Sequence, residues 1–182
     1  KGVEMSNLKV LPIKSVDTYN WLLKKHYAKR IPNITNAFGL FDESELIGVV
    51  TYGIPPSPAL CMGVCGEEHS SKVVELNRLC LQDNDKNQSS FLISQSLKML
   101  PKPKIVISYA DRSWTMNNGK TLYDKMNFII ESFTKPCYYY INNGRRENRF
   151  NYRKDKLVRE GFDSNKTEYE IMFEREYYRI YN

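Results

Sequence analysis

From Val73 to Leu81 (VVELNRLCL) apolar and polar side chains alternate, the pattern of a strand with one buried face. Two similar runs, Ala37 to Phe41 (AFGLF) and Leu46 to Tyr52 (LIGVVTY), flank the turn segment Asp42-Glu43-Ser44-Glu45 and predict a hairpin. Ile105 to Tyr109 (IVISY) is a short apolar run suited to a buried central strand. Phe128 to Phe133 and Cys137 to Ile141 read as two last strands, with Asn142-Asn143-Gly144 as a turn. Helical spacing marks Val16 to Tyr27, where Ser15 or Asp17 caps and Trp21, Leu22 and Leu23 form an apolar face. It also marks Ser89 to Leu100, capped by Asn87 or Ser89 and ended by Pro101 and Pro103, and an amphipathic stretch from Lys120 to Met126. The prolines of Ile54-Pro55-Pro56-Ser57-Pro58 donate no backbone hydrogen bond and predict a loop that runs on to about Ser70.

The order helix, strand, strand, strand, helix, strand, helix, strand, strand predicts an α/β protein, a mixed central sheet flanked by helices. It resembles the element order of the GNAT acyltransferase fold. The expected organisation is one domain over residues 1–144 and a basic, aromatic C-terminal extension over 145–182. Within the extension, Thr167 to Phe173 fits a helix or a strand equally well.

Of the 182 residues 41% are hydrophobic and 13% aromatic, enough for a real core. No run approaches the roughly 18 apolar residues of a membrane span. The opening Lys1-Gly2-Val3-Glu4-Met5 lacks the apolar region of a signal peptide, so an intracellular protein is expected. Cys61 and Cys65 with His69 are a partial zinc pattern that no further pair completes, so reduced thiols are the simpler reading. The formal charge of +6 favours a polyanionic partner. Its centre is Arg145, Arg146, Arg149, Arg153, Lys154 and Lys156, interleaved with Tyr138, Tyr139, Tyr140, Phe150 and Tyr152. That run is either a solvated helix face or a DNA-binding surface combining phosphate pairing with base stacking.

Candidate chemistry sits nearer the middle of the chain. His26 and Tyr27 end the first helix, where a histidine is either favoured by the dipole alone or functional. Asp111 follows an apolar strand, the place where open α/β sheets present ligands, and is otherwise a loop cap. Arg78 lies in an otherwise apolar strand, where an unpaired buried guanidinium costs on the order of 3–5 kcal/mol. It is therefore paired with a core acid or clamps a phosphate or carboxylate in a cleft that Ser108 and Tyr109 line. Strict alternation puts Glu75, three residues away, on the opposite face. No Ser/His/Asp triad, Walker loop or Rossmann fingerprint is present.

Several segments together resemble the phage Mom family of DNA-modification proteins, which are GNAT-like. They are His26-Tyr27 with Arg30 and Pro32, AFGLFD (37–42), LIGVVTYGIPPS (46–57), GVCGEE (63–68), ELNRLCL (75–81), SLKMLPKPKIVISYAD (96–111) and Asn127-Phe128. The loop after SYAD differs, with Arg112 to Gly119 in place of a loop containing Gly and His. Residues 149–182 resemble a C-terminal module of phage proteins that include some Vsr-like homing endonucleases. The Mom resemblance implies transfer of a carbamoylmethyl-type group to the exocyclic amine of adenine in phage DNA, in the host cytoplasm, as protection against restriction. It implies His26 and Asp111 as iron ligands; with Tyr27 and the cleft residues Arg78, Ser108 and Tyr109, the expected catalytic set is His26, Tyr27, Arg78, Ser108, Tyr109 and Asp111. A GNAT enzyme also holds an acyl donor such as acetyl-CoA at the start of its central helix, here Ser89 and Ser90. The preceding loop has no glycine and carries Asp83 and Asp85, which repel a pyrophosphate. The other reading is a non-catalytic, accessory DNA-binding phage protein that works with a homing nuclease.

Overall fold

In the computed structural model, which describes residues 7–83, 85, 87–102, 104–111, 116–117, 120–134 and 137–181, the apolar runs of the first half join into one mixed sheet. Its strands are β1 (Leu8–Pro12), β2 (Asn36–Asp42), β3 (Glu45–Gly53), β4 (Val73–Leu81) and β5 (Ile105–Ile107), in that spatial order. The first four pair antiparallel, and β5 joins β4 in parallel. That parallel step is made by the crossover helix α3 (Gln88–Met99), since antiparallel neighbours need only a turn and parallel ones a crossover. Leu92 and Ile93 of α3 and the following Leu100 pack on Phe38, Leu40, Val50, Tyr52 and Leu76. At the centre of this layer the buried Tyr52 hydroxyl and Ser96 Oγ share a hydrogen bond of 2.7 Å. Burial pushes the Tyr52 phenol up to about 12. The other face of the sheet is covered by α1 (Ser15–Asn20) and the π-helical turn that continues it (Trp21–Lys25), with Leu22 against Val49 and Cys80.

Four expectations are corrected. β1 was not expected; it pairs with β2 along the sheet edge, where its terminal Pro12 is tolerated. The segment expected as a loop forms α2 (Pro58–Cys65) and a 3-10 turn (Glu67–Lys72). Pro58 opens α2, where a missing N–H costs nothing, and the Ser57 hydroxyl accepts from Leu60 N at 3.2 Å. Lys120 to Met126 is no amphipathic helix: it holds the end strand residues Lys120–Thr121 and a 3-10 turn, Tyr123–Met126. Asp124 accepts hydrogen bonds from both the amide and the hydroxyl of Thr121 there. Phe128 to Phe133 pairs with no strand, and Ile129 is 89% exposed.

The chain divides into two compact units, residues 1–131 and 132–182. In the second, β8 (Tyr138–Asn142) lies between β9 (Arg145–Asn148) and β10 (Tyr178–Tyr181), all antiparallel. β6 (Met116–Asn117) and β7 (Lys120–Thr121) form a separate small ladder in the first unit. Asn143 and Gly144, with φ of 47° and 74°, make the primed turn between β8 and β9. The division expected after Gly144 therefore falls at the turn of a hairpin. Helices α4 (Lys154–Arg159) and α5 (Glu168–Glu174) bury Leu157, Ile171 and Met172 against Tyr140. A capping box between Thr167 and Glu170 makes 168–174 a helix. Among the described residues no helix is long and apolar enough to cross a membrane.

Candidate functional site

The site starts from an irregularity in β4. Leu81 and Leu79 turn toward α3, and so do Leu76 and Val74. The step from 79 to 76 is three residues, where regular pleating allows two. The extra residue is Asn77: Arg78 pairs opposite Thr51 and Leu76 opposite Tyr52, with Asn77 left over. This is a β-bulge, and it reverses the alternation beyond it. Glu75 consequently shares the face of Arg78, which corrects the expectation that they point apart, and the two groups act on each other electrostatically.

Asn77 also anchors what lies above that face. Its Oδ1 accepts from the buried Thr51 hydroxyl at 2.5 Å, and its Nδ2 donates to Asn33 O at 2.9 Å. The loop after Arg30 is thereby tied to the bulge, and Thr35 N donates to Tyr52 O at 2.8 Å just beyond. The approach is so close that a Cβ on Gly53 would sit 1.8 Å from Asn33 O. His26 ends the π-helical turn, held by its N–H to Trp21 O at 3.1 Å. Its ring stacks on Tyr27 with centroids 4.4 Å apart, and its Nδ1 accepts from Ala28 N at 3.1 Å.

β5 stops pairing after Ile107, and Ser108 uses its hydroxyl to reach Leu76 O at 2.9 Å and the Tyr123 hydroxyl at 2.8 Å. Electrostatic interactions and hydrogen bonds link the six residues expected from the sequence, in part through Glu75 and Tyr123. His26 and Tyr27 both feel Arg78, Tyr27 also feels Asp111, and Tyr109 feels Glu75. Burial, then Arg78 and Lys29, hold the His26 imidazole down at about 4. Burial raises the Glu75 carboxyl despite Arg78 and Arg30, and raises the phenols of Tyr27, Tyr109 and Tyr123. Arg78 donates to Asn77 O, yet its Nε is buried with no partner, the sole such side-chain atom among the described residues.

Three contributors escaped the sequence reading of the catalytic set: Glu75, Arg30 and Tyr123. Asn77 itself was the available signal, because asparagine is depleted inside strands. Ser89 and Ser90 lie apart, in the first turn of α3 on the other face of the sheet. A groove of about 400 Å3 lies beside them, lined in part by Asn87, Ser90, Phe91 and Lys125. Ser90 Oγ donates to Asn87 O, and the Asp85 carboxylate accepts from Gln88 at this helix start. The charge of the Asp85 carboxylate beside the helix start opposes a CoA pyrophosphate there. Asn84 and Lys86 of this loop, and residues 112–115 and 118–119 of the expected pocket wall after Asp111, lie outside the described residues.

The donor set does not fit iron either. With Nδ1 accepting from the Ala28 amide, the neutral ring of His26 carries its proton on Nε2, where a metal needs a lone pair. Among the described residues no group of three or more His, Cys, Asp or Glu could hold a metal ion, His69 with Cys61 and Cys65 included. All four cysteines are free.

In the second unit the expected DNA-binding cations have diverse surroundings. The Arg146 guanidinium lies 3.8 Å over Tyr139, and Arg149 lies over Tyr138 and Phe150. Arg153 pairs with Asp155 and Lys156 with Glu160. Arg145 opens β9 and Lys154 opens α4, both exposed.

Residues 7–179 match the Mom protein family. The chain belongs to that family. It is 31% identical over 126 residues to the methylcarbamoylase mom of Escherichia phage Mu, a match that covers 65% of this chain and 51% of that relative. The chain thus spans about half the length of the curated relative it matches. The Mom match takes in both units, the second almost to its end.

Two outcomes follow from the site's construction. Gly53→Ala should lower the unfolding free energy by about 1–3 kcal/mol, because the loop at Asn33 must move. Gly63→Ala, in α2 with nothing within 4 Å, should raise it by roughly 0.5–1 kcal/mol; urea titration measures both. The second outcome concerns pH. The folded pKa of His26, about 4, lies below its ordinary 6.5, so the unfolded chain binds the proton more tightly. The resulting stability is complete above about pH 6.5 and is lost as the pH falls toward 4. In urea midpoints measured across that window, His26→Gln should lose less stability than the wild type.

Proposed function

We propose that this chain is a DNA-modifying transferase that places a carbamoylmethyl-type group on the exocyclic amine of adenine and so shields phage DNA from restriction. The observation that carries the reading is the unpartnered buried Nε of Arg78, a guanidinium that interacts with Glu75, Tyr27 and Tyr123. An unsatisfied buried donor costs about 1–3 kcal/mol, which an incoming acceptor oxygen of substrate or donor recovers. A carboxylate or carbonyl of the transferred group suits that guanidinium. As the adenine amine bonds to the carbon of the incoming group, the bond joining that carbon to its donor breaks, the donor leaves with the electron pair, and the amine must give up a proton. Glu75, made more basic by burial, receives it. Neutral His26 offers its Nε2–H as a donor to the reacting groups, and Ser108 holds the Tyr123 hydroxyl in place. An amine paired inside duplex DNA is out of reach, so the base must first leave the stack.

Membership of the Mom family and the likeness to a methylcarbamoylase support this class of reaction. The bulged β4 and its parallel partner β5 across helix α3 support a GNAT-like arrangement. The carboxylate at the start of α3 favours a group donor other than acetyl-CoA. Cations of the second unit supply phosphate contacts.

Mass spectrometry of nucleosides from cells expressing the chain tests the proposal. Modified deoxyadenosine should appear with the wild type and fall at least a hundredfold with Arg78→Gln, at unchanged circular dichroism. Unmodified DNA with the wild type, alongside intact DNA binding, would favour the accessory DNA-binding reading.

A further inference from the structure

Phe150 is 60% exposed and is presented from a firmly held turn. At the front of the 3-10 turn Arg149–Tyr152, the Asn148 side chain accepts from Phe150 N at 3.0 Å. At its back, Tyr152 is anchored in the core of the second unit, 5.1 Å from Tyr177 and 5.6 Å from Tyr140 between ring centroids. The Tyr152 hydroxyl also bonds Glu147. Two residues on, the chain is clamped; at Phe150 it is not covered.

The surroundings select the partner. From Arg145 to Lys156 the sequence carries six cations and two acids, Glu147 and Asp155, and Lys156 pairs with Glu160 beyond them. Glu147 is engaged by Tyr152, and Asp155 by Arg153 and Arg159. The Arg149 guanidinium lies 5.3 Å from the Phe150 ring centre, so a cation accompanies the ring. Elsewhere in the unit Phe173 touches Tyr169 and Tyr178, but there Arg179 over Tyr169 is paired with Glu168, and Lys166 with Glu174, so those cations are already engaged by acids.

We propose, resting on the reading of the chain as a DNA-modifying protein, that Phe150 stacks on a DNA base at an opened step while Arg145, Arg149 and Lys154 hold the flanking phosphates. An aromatic ring fits because every base has a π-face, and adjacent cations satisfy the strand that carries it. Stacking and phosphate pairing then separate cleanly: the ring sets affinity without releasing counterions, and the cations set the salt slope.

The full chain is titrated, across a salt series, into a 20-base-pair duplex carrying 2-aminopurine at one step. Wild type should bind and raise the 2-aminopurine fluorescence as the step unstacks. Phe150→Ala should bind roughly 5- to 150-fold more weakly, with the rise lost and the salt slope unchanged. Phe150→Trp should retain both signals, which separates loss of stacking from a folding defect. Wild-type binding with Phe150→Ala equal to it in affinity and fluorescence would overturn the stacking role and leave the DNA reading standing. Absence of wild-type binding would overturn both.

Discussion

One extra residue in a strand decides which polar side chains share a face of this sheet. Asn77 interrupts the pleat of β4, and Glu75 comes to the side of Arg78 because of it. Without the bulge, Glu75 would lie among the leucines under α3, a buried carboxylate opposing a hydrophobic layer. With it, the apolar positions 74, 76, 79 and 81 all serve the core while 75 and 78 share the opposite face. The same side chain that occupies the bulge ties down the loop beyond Arg30. Local irregularity, core packing and site assembly are thus a single event.

Much of this could be read along the chain. Arg78, Ser108, Tyr109 and Asp111 sit where two neighbouring strands part, and the apolar runs of β3, β4 and β5 announce a sheet with a crossover helix. Glu75 was hidden because alternation is a two-residue rule and the bulge breaks it. Tyr123 was hidden because Lys120 to Met126 has helical spacing, whereas Asp124 closes a tighter turn on Thr121. The prolines at 55, 56 and 58 have two physical consequences. They end a sheet, and Pro58 also begins a helix. β1 was overlooked since LKVLP is short and ends in proline, which an edge strand accepts.

The basic C-terminal run is less uniform than its composition indicates. Tyr138 and Tyr140 both donate to Glu168, at 2.7 and 2.9 Å, and Arg179 lies near the same carboxylate. Those aromatics build the unit. Arg153 and Lys156 are partnered by exposed acids of their own helix, pairs worth about 0–1 kcal/mol that a phosphate can displace. Side chains that build the unit and side chains exposed on it are therefore interleaved residue by residue, and net charge alone does not separate them.

A double-mutant cycle on Glu75 and Arg78 tests the role of the bulge most directly. Unfolding free energies are compared for the wild type, Glu75→Gln, Arg78→Gln and the double variant at neutral pH. Groups facing each other in one cleft should show a coupling of at least roughly 0.5 kcal/mol, the range found for residues in contact or in one network. Coupling indistinguishable from zero, with all four proteins folded, would mean that the two side chains leave β4 on opposite faces and that the cleft is not built this way.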